Sequence, residues 1–130
     1  MSEHADTIEL LKTGYSMEIE TVMNYIAYST NLDGVRAEEI KKSLAADITE
    51  ELMHAQELGK RIKQLGGLVP GSNAVNVGAQ PEPSSDTTDV VACIEAVIAA
   101  EENACNHYKK IIKATDAMFF SNSASALMGD

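Results

Sequence analysis

The sequence is poor in cations. Ten Lys and Arg stand against twenty Asp and Glu in 130 residues, a formal net charge of -10. A duplex-binding surface clusters cations that displace phosphate counterions, so this balance argues against a nucleic-acid partner. An anionic membrane surface is disfavoured on the same ground, whereas an acidic surface gathers metal cations. No apolar run approaches the ~18 residues of a membrane span. The N-terminus, Met-Ser-Glu-His-Ala-Asp, lacks the basic-then-apolar order of a secretory signal. Cysteine is scarce: only Cys93 and Cys105 occur. On one helix their separation is about 18 Å of rise, too far for a bridge. Two free thiols fit a reducing cytoplasm. Proline is confined to one region, with all three residues between positions 67 and 85.

What remains is ordinary globular composition, 45% apolar and 23% charged, at a length that suits one domain, 1–130. Three long stretches have helical character, about 6–31, 37–65 and 88–115. Asn31-Leu32-Asp33-Gly34 is a turn signal between the first two. Gly66-Gly67 followed by Pro70 stops the second. The connection over 67–85 is long enough to run the length of a helix, so the third helix need not be antiparallel to the second. Ser84, Ser85 and Asp86 are N-cap candidates for it. After Asp116 the composition changes, and 116–130 reads as a short helix or tail, a truncated fourth element on a core of about 6–115. The expectation is an all-α bundle of three long helices with a long crossover between the second and third.

At about 100° per residue, Leu11, Tyr15, Val22, Tyr25, Ile26 and Ser29 form one stripe on the first helix. Glu18 falls within it, and Glu20 falls on the opposite side, towards solvent. On the second helix the stripe is Ile40, Leu44, Leu58, Ile62 and Leu65, with Asp47, Glu51 and His54 inside it and Glu50 and Glu57 outside. On the third it is Ile94, Ile98, Cys105, Tyr108 and Ile112, with Glu101 inside and Glu102 on a flank. Each helix therefore carries a carboxylate on its core face near mid-length. A buried carboxylate is costly unless paired or bound to metal. A lone Glu-x-x-His is commonly a salt-bridged surface pair, and a lone Glu on a stripe is commonly paired to Lys. Basic residues are almost absent from these stripes, so a metal is the simpler common explanation. Glu51 and His54, three residues apart, project to the same side of their helix. Carboxylates with imidazole suit iron or manganese, and bridging carboxylates can hold two metals. His107 falls off its stripe, towards the surface, and His4 lies near a terminus. Tyr15 and Tyr108 read as core residues.

These residues resemble the ferritin-like superfamily, bacterioferritins most closely. Met17-Glu18-Ile19-Glu20-Thr21-Val22-Met23-Asn24-Tyr25 is similar to the family's first ligand segment. Glu50-Glu51-Leu52-Met53-His54-Ala55 is similar to the second, and Glu101 with Tyr108 to the third. Gly66-Gly67-Leu68-Val69-Pro70 resembles the start of the family's crossover. The resemblance implies a ferritin-like antiparallel bundle and a non-haem di-iron site, with manganese or zinc as possible substitutes. Glu18 resembles a terminal ligand of one iron, Glu51 a bridging carboxylate, His54 a ligand of the first iron and Glu101 a ligand of the second. Tyr25 resembles the tyrosine beside the site, a hydrogen-bond donor or redox participant in catalysis. The implied activity is ferroxidase, the oxidation of Fe(II), with iron storage in a homo-oligomer. A metal-poor helical scaffold with an incomplete site is the alternative.

Two departures matter. The family's fourth helix carries a second Glu-x-x-His, but no Glu follows Glu102 and no His follows His107. Another subunit must supply these ligands, or the site is incomplete. The family's haem methionine directly follows the bridging Glu, whereas Leu52 stands there and Met53 one residue later. Family-type haem binding is therefore not expected. Without a fourth helix, the stripes should expose Leu58, Ile62, Ile98 and Ile112, which implies at least a dimer.

Overall fold

The computed structural model describes residues 4–127, with side chains up to residue 116. Three helices dominate: α1 (Ala5–Asn31), α2 (Glu38–Gln64) and α3 (Val90–Leu127). A 3-10 turn at Val35–Ala37 follows the predicted turn at Gly34, where a φ of 103° favours glycine. α2 ends at a Schellman motif. The Gly66 N–H bonds the Lys63 carbonyl and the Gly67 N–H bonds the Ile62 carbonyl, with Gly66 at φ 93°. α3 is capped by Asp89, whose Oδ1 accepts from the Ala92 N–H at 3.0 Å. The predicted cap candidate Asp86 instead closes a turn onto Thr88. α3 also runs past its expected end near residue 115 to Leu127. Neither Gly nor Pro occurs between Thr115 and Leu127 to stop it. The side chains of 117–130 lie outside the described residues, so the truncated fourth element has no description beyond this helical backbone.

α1 packs closely on α2 and also on α3, while α2 and α3 barely touch. Pairings along α1 give the directions. Glu18 meets His54 and Tyr108, Tyr25 meets Glu101, and the Leu10 carbonyl meets His107. Leu44 clusters with Tyr25 and Tyr28, and Ile62 with Ile8 and Leu11, so both partner helices run antiparallel to α1 and parallel to one another, as the long crossover permits. Gly14 lets α1 and α3 approach: a Cβ there would meet the Ile111 Cδ1 at 3.3 Å.

The apolar core is divided. One cluster holds Tyr25, Tyr28, Leu32, Ala37, Leu44 and Cys93. The other, towards the opposite end, holds Ile8, Leu11, Leu58, Ile62 and Ile111. The polar groups of α1 and α2 lie between them. Leu58 and Ile62, expected on an open face, are 7% and 0% exposed because they face α1. Ile98 and Ile112 are 52% and 58% exposed, as expected for the face that α2 and α3 leave open.

The crossover straps the back of α1. The Asn76 N–H donates to Ser16 Oγ at 3.0 Å, and Gln80 bonds both Thr21 and Asn24 through its side chain. Glu20 was expected in solvent, yet it is buried at 5% exposure. Its carboxylate accepts the backbone N–H groups of Gly78, Ala79 and Gln80, the last two at 2.9 and 2.6 Å. A wheel of α1 cannot anticipate this, because the strap comes from residues about 60 positions away.

Candidate metal centre

At mid-bundle the two helix pairings bring three ligand-type residues together. One ligand atom each from Glu18, Glu51 and His54 lies within 4.8 Å of the others. Glu18 comes from α1 and is buried, with 3% of the residue exposed. Glu51 and His54 come from one turn of α2 and are half-buried. His54 Nδ1 stands 3.8 Å from Glu18 Oε2 and 3.8 Å from Glu51 Oε2. That is beyond hydrogen-bond length. Two ligands about 2.1 Å from one metal stand roughly 3–4 Å apart, so these spacings suit a shared cation. The other imidazole nitrogen faces Glu50 Oε1 at 3.8 Å. Glu50, excluded by the wheel, thus stands beside the ring, also beyond hydrogen-bond length, with its side chain mostly in solvent.

Hydrogen bonding accounts for only part of Glu18. Its Oε1 accepts from the Tyr108 hydroxyl at 3.0 Å. Its Oε2 is buried and has no hydrogen-bond partner. The Glu18 and Glu51 carboxylates face each other in a site where the described ion pairs involve only His54. Burial, then a side-chain hydrogen bond shared with Glu18 and the charge of that carboxylate, push Glu51 up to about 8, while His54 pulls the other way; without metal, a proton on Glu51 is what the Glu18 oxygen would have to share. An orphaned carboxylate oxygen beside a second carboxyl and an imidazole is a donor set that fits a divalent metal.

Glu101 lies outside this triplet but lines the same cavity of about 450 Å³, with Asp47, Glu50 and Cys105. Its Oε1 accepts from the Tyr25 hydroxyl at 3.0 Å. Tyr25 is 1% exposed, and its hydroxyl is held protonated by burial and by Glu101. Tyr108, read from the sequence as plain core, has its hydroxyl raised by burial and by Glu18. Each tyrosine thus donates to one carboxylate of the cavity. Its seven-residue spacing from Glu101 was the available signal. His107, expected at the surface, is half-buried with Nε2 2.7 Å from the Leu10 carbonyl, and it takes no part in the site. His4 is half-buried at the start of α1. Cys93 is buried and Cys105 exposed, and both are free thiols.

Among the described residues, no helix is long and apolar enough to cross a membrane. No curated protein matches the chain. A model of the ferritin-like domain family matches residues 8–119, a span that contains Glu18, Glu51, His54 and Glu101. The match covers most of the sequence, and with an all-helical fold and a carboxylate–imidazole cluster at mid-bundle, the protein belongs to the ferritin-like domain family.

Proposed function

We propose that this protein is a non-haem iron protein of bacterioferritin type that takes Fe(II) as substrate, oxidises it and contributes to iron storage. The carrying observation is the buried, unbonded Oε2 of Glu18 beside Glu51 and His54. In this reading Glu18, His54 and Glu51 would hold the metal, Glu51 would be shared with a second ion, and Glu101 would be a ligand of that second ion. Iron bound there supplies the electrons that reduce oxygen, and the carboxylates stabilise the ferric product. The chain's own residues do the rest. Tyr108 orients Glu18, and Tyr25 both orients Glu101 and serves as a nearby hydrogen-bond or redox group. Glu51 takes up a proton when metal leaves and gives it up when metal binds.

Haem forms no part of the proposal. Leu52 and Met53 are 43% and 49% exposed on the outer side of α2. The chain acts as a single domain in the cytoplasm, where its thiols stay reduced. It works as a homo-oligomer, the assembly that the resemblance to bacterioferritins implies. The test is aerobic oxidation of Fe(II), followed by absorbance, with wild type, Glu51→Ala and Tyr25→Phe. The proposal expects oxidation well above the protein-free rate, its loss in Glu51→Ala, and slower oxidation with unchanged metal stoichiometry in Tyr25→Phe. A wild-type rate equal to buffer overturns it.

A further inference from the structure

The wall of the carboxylate cavity carries a thiol. Along α3, Glu101, Cys105 and Tyr108 stand about one turn apart, and all three line the cavity together with Glu51 and His54 of α2. Glu18 joins the wall from α1, and its buried Oε2 has no hydrogen-bond partner. That unbonded oxygen marks the cavity as the place where a cation belongs. The neighbours of Cys105 in the wall are carboxylates, hydroxyls, an imidazole and methyl groups. None of these readily gives two electrons to a peroxide, whereas a thiol does. Cys93 has a different setting. It is 2% exposed and packed with Tyr25, Tyr28 and Leu44 in one apolar cluster, about 18 Å along α3 from Cys105. Of the two free thiols, Cys105 is the one that shares a cavity with the ligand-type residues.

Oxidation of Fe(II) by dioxygen at this place has a product with fixed stoichiometry. Two Fe(II) ions give up one electron each, and dioxygen with two protons becomes hydrogen peroxide. Peroxide formed within a cavity of about 450 Å³ has a local concentration on the order of molar until it diffuses away. We propose that Cys105 is a modification site for this peroxide, consuming it where it forms and becoming a sulfenic acid. This rests on the Fe(II)-oxidising reading given above. The Cys105 sulfur attacks one peroxide oxygen. The O–O bond breaks as the S–O bond forms, and the leaving hydroxide takes up the thiol proton to become water. Sulfur loses two electrons and the peroxide gains them. A small cellular thiol then displaces water from the sulfenic acid to give a mixed disulfide, and a second such thiol releases Cys105. Nearness to the source, rather than exposure to solvent, makes the site selective. Peroxide consumed there does not reach further Fe(II), with which it forms hydroxyl radicals.

The test treats full-length protein with Fe(II) in air in the presence of dimedone, which captures sulfenic acids. Peptide mass spectrometry reads both cysteines, and absorbance follows the iron in the same samples. Cys105 should be captured at least about tenfold more than in metal-free protein given the same total hydrogen peroxide from solution. Catalase is too large to enter the cavity and should leave most of the capture intact. Cys93 should stay unlabelled in every sample. In Cys105→Ser, more peroxide should escape per iron oxidised, by at most one equivalent per chain. Iron oxidation that leaves Cys105 unlabelled overturns the proposal. So does capture abolished by catalase, or capture matched by peroxide from solution. Each of these leaves the iron reading standing, whereas an iron rate equal to that of buffer overturns both.

Discussion

Glu18 and Glu20 stand two residues apart on the same helix, and both are buried, at 3% and 5% exposure. Their surroundings are opposite. Glu20 faces the crossover and is met by three backbone N–H groups. It acts as the acceptor that a strap without secondary structure of its own requires. Glu18 faces α2 and α3. It receives one hydroxyl and a neighbouring carboxyl and imidazole, and keeps one oxygen without a hydrogen bond. Burial of an acid is therefore not the mark of a metal centre. The mark is a buried acid whose hydrogen-bond inventory does not close while further ligands stand beside it.

The largest test of this contrast is stability. Glu20→Ala leaves three strap N–H groups without their acceptor and should lower unfolding free energy by about 3 kcal/mol, read by urea denaturation. Glu18→Ala removes a carboxylate that already faces another. In metal-free protein it should cost less than about 1 kcal/mol or stabilise. A similar large loss in both would erase the distinction. Within the apolar core Ile62, 0% exposed, sets the scale: Ile62→Ala should cost about 2–4 kcal/mol.

A smaller effect follows from pH. Glu51 titrates near 8 in the folded protein against 4.5 for the unperturbed group, so the native state holds the extra proton between these values. Metal-free stability from this group is then fully present below about 4.5 and is lost as pH rises through about 8, on the order of 1 kcal/mol once solvent screening of a partly exposed, coupled group is allowed for. Glu51→Gln should flatten that slope in a pH series of denaturation curves. The same proton should appear in solution when metal binds: calorimetry in buffers of different ionisation enthalpy should count close to one more proton released per metal at pH 6.5 than at pH 9. An equal count at both pH values contradicts this assignment of Glu51.

Much of the molecule was legible in the sequence, for identifiable reasons. The three helices and the Gly66-Gly67 stop follow from local chemistry, and the Glu18, Glu51 and His54 group follows from where acids fall on apolar stripes. Wheel positions failed where tertiary contacts overrode them. Glu20 is buried by a distant strap, and His107 is drawn inward by the Leu10 carbonyl. Leu58 and Ile62 belong to the α1 contact rather than the open face. The α3 cap moved to Asp89 because Asp86 is spent on its own turn. Tyr108 was missed as a support because its role depends on a neighbour across the bundle, which a stripe assignment does not test.

The most direct test is an anaerobic calorimetric titration with Fe(II) of wild type, Glu18→Ala, His54→Ala and Glu20→Gln. Wild type and Glu20→Gln should bind alike, and the other two should lose at least about tenfold in affinity. Equal, weak binding by all four proteins would contradict the assignment of Glu18, Glu51 and His54 as a metal centre.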